Sequence, residues 1–237
     1  MSLANKRVVV IGGSAGMGLA TARAALASGA RVVIASRSAD KLSAARAGLG
    51  AAIDSAVLDI TDESAVRAFF EHCGAIDHLV TSAAVVNRKP FFEVTAAEAH
   101  AAFESKFWGQ FYAARHAAPH IRDNGSITFF SGISSRRGIA GLVVTGAING
   151  AIESLCRSLA LTLAPVRVNA VCPGFIDTAG HDDPAGTRQT VLARVARSIP
   201  ARRVGAAEEV AQTVLYLMQS EFTTGTVIDI DGGHLAG

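Results

Sequence analysis

RVVVIGGSAGMGLAT, Arg7 to Thr21, passes from a run of β-branched residues through glycines into a helical pattern. It reads as strand, tight turn and helix. Gly12, Gly16 and Gly18 permit a sharp turn and close approach to a ligand, and a helix beginning near Met17 offers unpaired N–H groups and a positive dipole end to an anion. The stretch is therefore a candidate pyrophosphate cradle. Its spacing is GxxxGxG, not the commoner GxGxxG, and glycines also gather in plain turns, so position supplies the stronger argument: it follows the first strand of a repeating strand and helix pattern.

Outward from that stretch, strand patterns recur at Arg7–Ile11, Arg31–Ala35, Ser55–Leu58, His78–Thr81, Ser126–Phe130, Val166–Val171 and Val227–Ile230. Helical patterns separate most of them. Gly29 reads as a C-cap, Thr61 as the cap of a helix whose first turn carries Asp62 and Glu63, and Thr95 with Glu98 as a capping box. Near-continuous apolar strands alternating with helices predict an α/β fold: one doubly wound Rossmann-type domain over residues 1–237. Its seven-stranded, mainly parallel sheet is covered on both faces, with ligands at the carboxyl ends of the strands. Residues 175–200 break the rhythm with Gly, Asp, Thr and His, which suits a substrate lid or an ordinary surface insertion.

Half of the 237 residues are apolar, and 22 basic against 20 acidic residues give a net charge of +2. No basic block marks a nucleic-acid or membrane-surface partner, no apolar run is long enough to span a bilayer, and the amino terminus has no signal-sequence pattern. The expectation is a cytoplasmic protein with a small-molecule substrate. Cys73, Cys156 and Cys172 are far apart and form no CxxC, so they read as core residues; the run His181-Asp182-Asp183 has neither the spacing nor the convergence of a metal site, and none is expected.

The second strand ends in VVIASRS, where a holder of the NAD ribose 2′-hydroxyl usually places an acid. Ser36 and Arg37 stand there instead. A guanidinium beside a hydroxyl suits a 2′-phosphate, which predicts NADP(H) over NAD(H), against the plainer reading of a solvated surface arginine. Asp59, in VLDIT, can accept from an adenine amino group or simply begin a turn. In CPGFIDT, Pro173 and Gly174 force a turn and Thr178 adds a hydroxyl.

Together these motifs resemble the short-chain dehydrogenase/reductase family. The resemblance runs from Arg7 to the terminal IDIDGGHLAG and includes VRVNAVCPGFIDT, PARRVGAAEEVA and Asp231-Gly232-Gly233. It implies that Gly12, Ser14, Gly16, Met17 and Gly18 line the pyrophosphate. Ser36, Arg37, Asp59, Ile60 and Ala83 join the cofactor set, and the turn with Pro173, Gly174, Ile176 and Thr178 holds the nicotinamide carboxamide. Ile11 replaces the family's usual Thr, and Thr81-Ser82-Ala83-Ala84 replaces Asn-Asn-Ala-Gly.

The active site departs furthest. The family's Tyr-x-x-x-Lys falls on TGAING, reading Thr145 and Asn149, which still share a helix face at i, i+4. Thr145 lacks an acidic hydroxyl, and Asn149 can hydrogen-bond a ribose but cannot lower a neighbour's pKa by charge. The supporting serine matches Gly132, with Ser131, Ser134 and Ser135 nearby; Ser131 is taken as the candidate. The family's helix-borne Asn matches Lys106, which either partly replaces the missing Lys, by stabilising an oxyanion or relaying a proton, or is an exposed or inter-subunit lysine. Arg136 and Arg137 either orient an anionic substrate or are solvated or contact another subunit. Trp108 with Phe103, Phe107 and Phe111 forms a helical aromatic stripe suited to a core or a subunit interface, and the resemblance implies a homodimer or homotetramer.

Three readings follow. The first is an NADP(H)-dependent oxidoreductase with a non-standard site, acting on small carbonyl, quinone or imine-like acceptors. The others are a cofactor-binding enzyme without net hydride transfer and an NADP(H)-binding sensor without turnover.

Overall fold

The structure, a computed structural model, describes residues 2–50, 53–83, 88–178 and 188–236. Strand β1 (Arg7–Ile11) leads into α1 (Gly16–Ala27), followed by β2 (Arg31–Ser36), α2 (Ala39–Leu49), β3 (Asp54–Val57), α3 (Glu63–Cys73) and β4 (Ile76–Thr81). Then come α4 (Ala96–Phe103), a π-helical turn at Glu104–Trp108, α5 (Gly109–Ala117), β5 (Ile121–Phe130) and the long α6 (Val143–Thr162). The chain closes with β6 (Arg167–Pro173), β7 (Ile176–Asp177), α7 (Arg188–Ser198), β8 (Gly205–Ala206), α8 (Ala207–Gln219) and β9 (Val227–Ile230).

Seven strands form one sheet in the order β3-β2-β1-β4-β5-β6-β9, every neighbouring pair parallel. Alternation along a strand divides the core between the two faces. Val9 and Ile11 of β1 join Phe70 of α3, Ala113 of α5 and Ile148 and Ile152 of α6 on one face. Val8 and Val10 join Ala22 of α1, Leu42 of α2 and Val214 of α8 on the other. The strand order reverses between β1 and β4, so the loops after these two strands part at that point and open a crevice at the carboxyl edge. Ser82, just past β4, stitches the crevice by donating from its backbone N–H to Ile11 O at 2.8 Å.

Several local expectations need correction. The cap of α3 is Asp62, not Thr61: the Asp62 carboxylate accepts from the N–H groups of Ser64 and Ala65, whereas Thr61 donates its hydroxyl to Asp59. Gly29 lies one residue past the C-cap Ser28, at φ +87°, where a left-handed turn ends α1. Strand β5 begins at Ile121, five residues before Ser126, because the ladder with β4 passes through an irregularity between Ile76 and His78. The two-residue pairing of β7 with β8 has no strand signal in the sequence.

Within residues 175–200, Ile176–Asp177 is strand and Arg188–Ser198 is helix; His181, Asp182 and Asp183 lie outside the described residues, as does Ala84. All three cysteines are buried and unbridged. Among the described residues no cluster of His, Cys, Asp and Glu forms a metal site, and no helix is long and apolar enough to cross a membrane.

Candidate active site

The crevice holds a cleft of about 270 Å³ lined by Gly12, Gly16, Met17, Gly18, Ser36, Arg37, Asp59, Ile60 and Ala83. Its floor has to be glycine. A Cβ on Gly12, which sits at φ +85°, would lie 2.5 Å from Ala83 N, and one on Gly18 would lie 2.3 Å from Gly12 O. The first turn of α1 has no side-chain cap and no acidic residue, so its N–H groups and dipole end face the cleft. Those donors, with Ser36 and Arg37 at the end of β2, fit a ligand carrying several phosphates. Ser14 is not part of this lining; its hydroxyl donates to Ser36 Oγ at 2.9 Å, and Ala15 takes its place at the cleft. The Asp59 carboxylate accepts from the backbone N–H and the hydroxyl of Thr61, so it closes a turn while lining the cleft.

A second cavity, of about 490 Å³, continues from the first, and Met17 and Thr178 line both. Pro173, Gly174 and Ile176 line this second space, along with Lys106, Ser131, Thr145 and Asn149. Thr145, Asn149 and Glu153 recur every four residues on α6 and are all buried, so one helix face delivers them together.

Lys106 enters from the π-helical turn and is only 6% exposed. Its ammonium donates to Ser131 O at 3.2 Å and to Asn149 Oδ1 at 2.5 Å. Burial draws its pKa down from 10.5 to about 8; the Cys172 thiol acts weakly in the other direction. Asn149 is held from the other end too, its Nδ2 donating to Gly132 O at 3.2 Å and Ser134 Oγ at 2.9 Å. A Cβ on Gly132 would approach Asn149 Nδ2 to 2.9 Å, so a residue without a side chain suits that position.

The Ser131 hydroxyl donates to Glu153 Oε1 at 3.2 Å and Val171 O at 3.3 Å, which anchors it to α6 and β6. Arg136 serves the same framework, pairing with Glu153 and with Asp229. Arg137 lines the second cavity and donates to the His234 carbonyl at 2.5 Å. His234 itself lines the cavity, its Nδ1 buried and, among the described residues, without a hydrogen-bond partner.

Three functional positions escape a reading of the sequence. Glu153 had a signal in its i, i+8 spacing from Thr145. His234 and Gln110 had none, since tertiary packing alone brings them in. Gln110 is fully buried and satisfies all four of its hydrogen-bonding positions: it accepts from Thr81 Oγ1 and Phe130 N and donates to Lys106 O and Phe130 O. It thereby locks the turn that carries Lys106 to β4 and β5.

A parallel sheet with a glycine-floored cleft at its switch point and an adjoining cavity is the architecture of a doubly wound dinucleotide-binding fold. The comparisons narrow this to a family. Residues 12–234 match the family model described as enoyl-(acyl carrier protein) reductase. The chain is 33% identical over 248 residues to L-xylulose reductase of Bos taurus, covering 100% of this chain and 99% of that protein. A small-chain dehydrogenase in complex with NADPH superposes with a TM-score of 0.86 at 35% identity, over 98% of this chain and 100% of that one. MalC reductase/Diels-Alderase from Malbranchea aurantiaca superposes at 0.92 with 27% identity, over 99% and 98%. The chain belongs to the short-chain dehydrogenase/reductase family.

Proposed function

We propose that the protein is an NADP(H)-dependent oxidoreductase acting on a small carbonyl, quinone or imine-like substrate, through an active site in which Thr145 and Asn149 occupy the Tyr and Lys positions of the family. The observation that carries this reading is the continuity of the phosphate cleft with the second cavity across Met17 and Thr178. It lets a nucleotide in the first space extend its far end into the second.

When bound, a reduced nicotinamide supplies hydride. The N–H groups of the first turn of α1 hold the pyrophosphate, and Ser36 with Arg37 select the 2′-phosphate. Pro173, Gly174, Ile176 and Thr178 position the nicotinamide end. Ser131 buttresses α6 through Glu153, Thr145 offers the substrate a hydroxyl contact, and Lys106 supplies positive charge where oxygen becomes negative. Binding and orientation provide much of the rate in this scheme. Within residues 175–200, α7 serves as the lid of the second cavity, which its Val195 and Ser198 line.

The aromatic outer face of the π-helical turn bears on assembly. Trp108 is 38% exposed and stacks on Tyr112 at 6.0 Å, which favours a homodimer or homotetramer built on this aromatic face. Light scattering on the purified protein tests it.

The functional experiment is NADPH and NADH binding by calorimetry, followed by absorbance at the reduced-nicotinamide band against a panel of carbonyls, quinones and imines. NADPH binding with oxidation dependent on any acceptor supports the reading. Full engagement of Asn149 by Lys106, Gly132 and Ser134 favours a second reading, a cofactor-binding non-redox enzyme or sensor. Binding without oxidation on every acceptor would select it.

A further inference from the structure

Among the described residues, no carboxylate pairs with the buried ammonium of Lys106. Its titratable neighbour on β6, the Cys172 thiol, is pushed up to about 12 by burial and carries no charge at neutral pH. Such an ammonium is costly to bury, because desolvation is not repaid by a counter-charge. It also carries three protons, and the described residues offer two acceptors, Ser131 O and Asn149 Oδ1. The remaining proton has the cavity that Lys106 lines.

The side chain is aimed with unusual redundancy. Gln110 Nε2 donates to Lys106 O at 2.9 Å and pins its backbone, while Asn149 Oδ1 pins its tip. Asn149 in turn cannot rotate its oxygen away without surrendering the bonds from Nδ2 to Gly132 O and Ser134 Oγ. An amide on α6 thus steers an ammonium on the preceding helix.

We propose that Lys106 is the catalytic acid of this site and Asn149 its positioning residue, so that ammonium and amide stand on the opposite helices from those of Tyr-x-x-x-Lys members of the family. This rests on the reductase reading above. In reduction, hydride adds to the substrate carbon, the C=O or C=N π pair moves to the heteroatom, and the heteroatom takes the third proton from Lys106 Nζ. Lys106 is left as a neutral amine and regains its proton from water at the cavity mouth. In oxidation, the neutral amine accepts the hydroxyl proton as hydride leaves carbon.

The pH signature follows from the groups around Lys106. From β6 it meets the neutral Cys172 thiol, from the end of β5 the Ser131 carbonyl, and from α6 the uncharged Asn149. Glu153, one turn further along α6, is held by Ser131, Ser135 and Arg136. Arg88, Arg137 and His234 line the same cavity, and burial together with Arg137 pushes His234 below its ordinary 6.5. The range around pH 8 is therefore left to Lys106.

The test combines kinetics with a direct titration of the Lys106 amine by NMR of lysine-labelled protein. The expected wild type loses reductase kcat tenfold per pH unit above about 8, and the Lys106 amine titrates in the same range in the NADPH complex. Lys106→Met and Lys106→Gln are expected to lower kcat by roughly 10²–10³-fold, flatten that limb and leave NADPH affinity within about twofold. Asn149→Asp is expected to raise the amine titration and carry the kinetic limb upward with it, a shift that loss of packing alone would not produce. Wild-type kcat and pH profile in both Lys106 variants, or an amine titrating at the free-lysine value, overturns the proposal while leaving the reductase reading standing. Absence of NADPH oxidation by the wild type on every acceptor overturns both.

Discussion

The Ser14 hydroxyl donates to the Ser36 hydroxyl at 2.9 Å, tying the loop after β1 to the end of β2. The tie anchors Ser36, next to Arg37, at the rim of the cleft that both residues line. Arg37→Ala is expected to weaken NADPH binding about 10–100-fold and NADH binding less than about threefold, as read by calorimetry. Equal losses for both nucleotides would assign Arg37 to the fold and not to the 2′-phosphate.

Gly18 tests the floor of the same cleft. Its absent Cβ would lie 2.3 Å from both Gly12 O and Ser82 Oγ, and the first of these is backbone that cannot swing aside. Gly18→Ala is expected to reduce NADPH affinity by at least about tenfold and to lower Tm, because α1 must move away from the loop after β1. Unchanged affinity at unchanged Tm would show that the crevice relaxes more freely than its packing implies.

Lys106 carries a thermodynamic cost that its proposed role explains. The unfolded chain holds the ammonium proton up to about pH 10.5, whereas the folded chain gives it up near 8, so stability rises with pH across that window. Below the window the buried ammonium costs about 3 kcal/mol, from a shift of roughly two and a half pH units. Lys106→Met is therefore expected to raise Tm at pH 7 by several degrees, with the gain shrinking towards pH 10.5; calorimetric melts at both pH values measure it. A variant less stable than wild type at pH 7 would contradict this.

His78 sets the acid limb. It is buried on β4 beside Ser126 Oγ at 2.9 Å, and burial, followed by the nearby Arg167, draws its pKa from 6.5 to about 4. The unfolded chain takes up this proton below 6.5 and the folded chain does not until about 4, so stability is lost as pH falls through that interval. Urea unfolding at pH 7 and pH 4.5 is expected to differ by ~2–3 kcal/mol on this account, and His78→Gln to lose most of the difference. An unaltered difference in the variant would move the acid sensitivity elsewhere.

What could be read in advance tracks how local the determining physics is. β1 and β9 matched to the residue because β-branched runs there end in glycine or acid at the sheet edge. The start of β5 did not, since Asp123-Asn124-Gly125 carries turn chemistry and Asn124 does adopt φ +65°, yet pairing with β4 resumes on both sides. Thr61 and Asp62 are equally plausible caps on paper, and the contest was decided by Asp59, which claims the Thr61 hydroxyl. At the site, the family resemblance marked Thr145 and Asn149, and their i, i+4 spacing put them on one helix face. That Lys106 and Ser134 both hydrogen-bond Asn149 was not legible, because these contacts cross between elements. Gln110 gives no local sign of its role, since its four partners come from three separate segments.

The π-helical turn at Glu104–Trp108 contains one residue more than an α turn would need, which rotates everything after it by about 100° about the helix axis. That surplus residue turns Lys106 inward and leaves Trp108 on the outside within a span of three positions. Interior chemistry and exterior aromatic surface are consequently set by a single register. A deletion in this segment would be felt on both sides of the helix at once, so the two features can be inherited together but not adjusted one without the other.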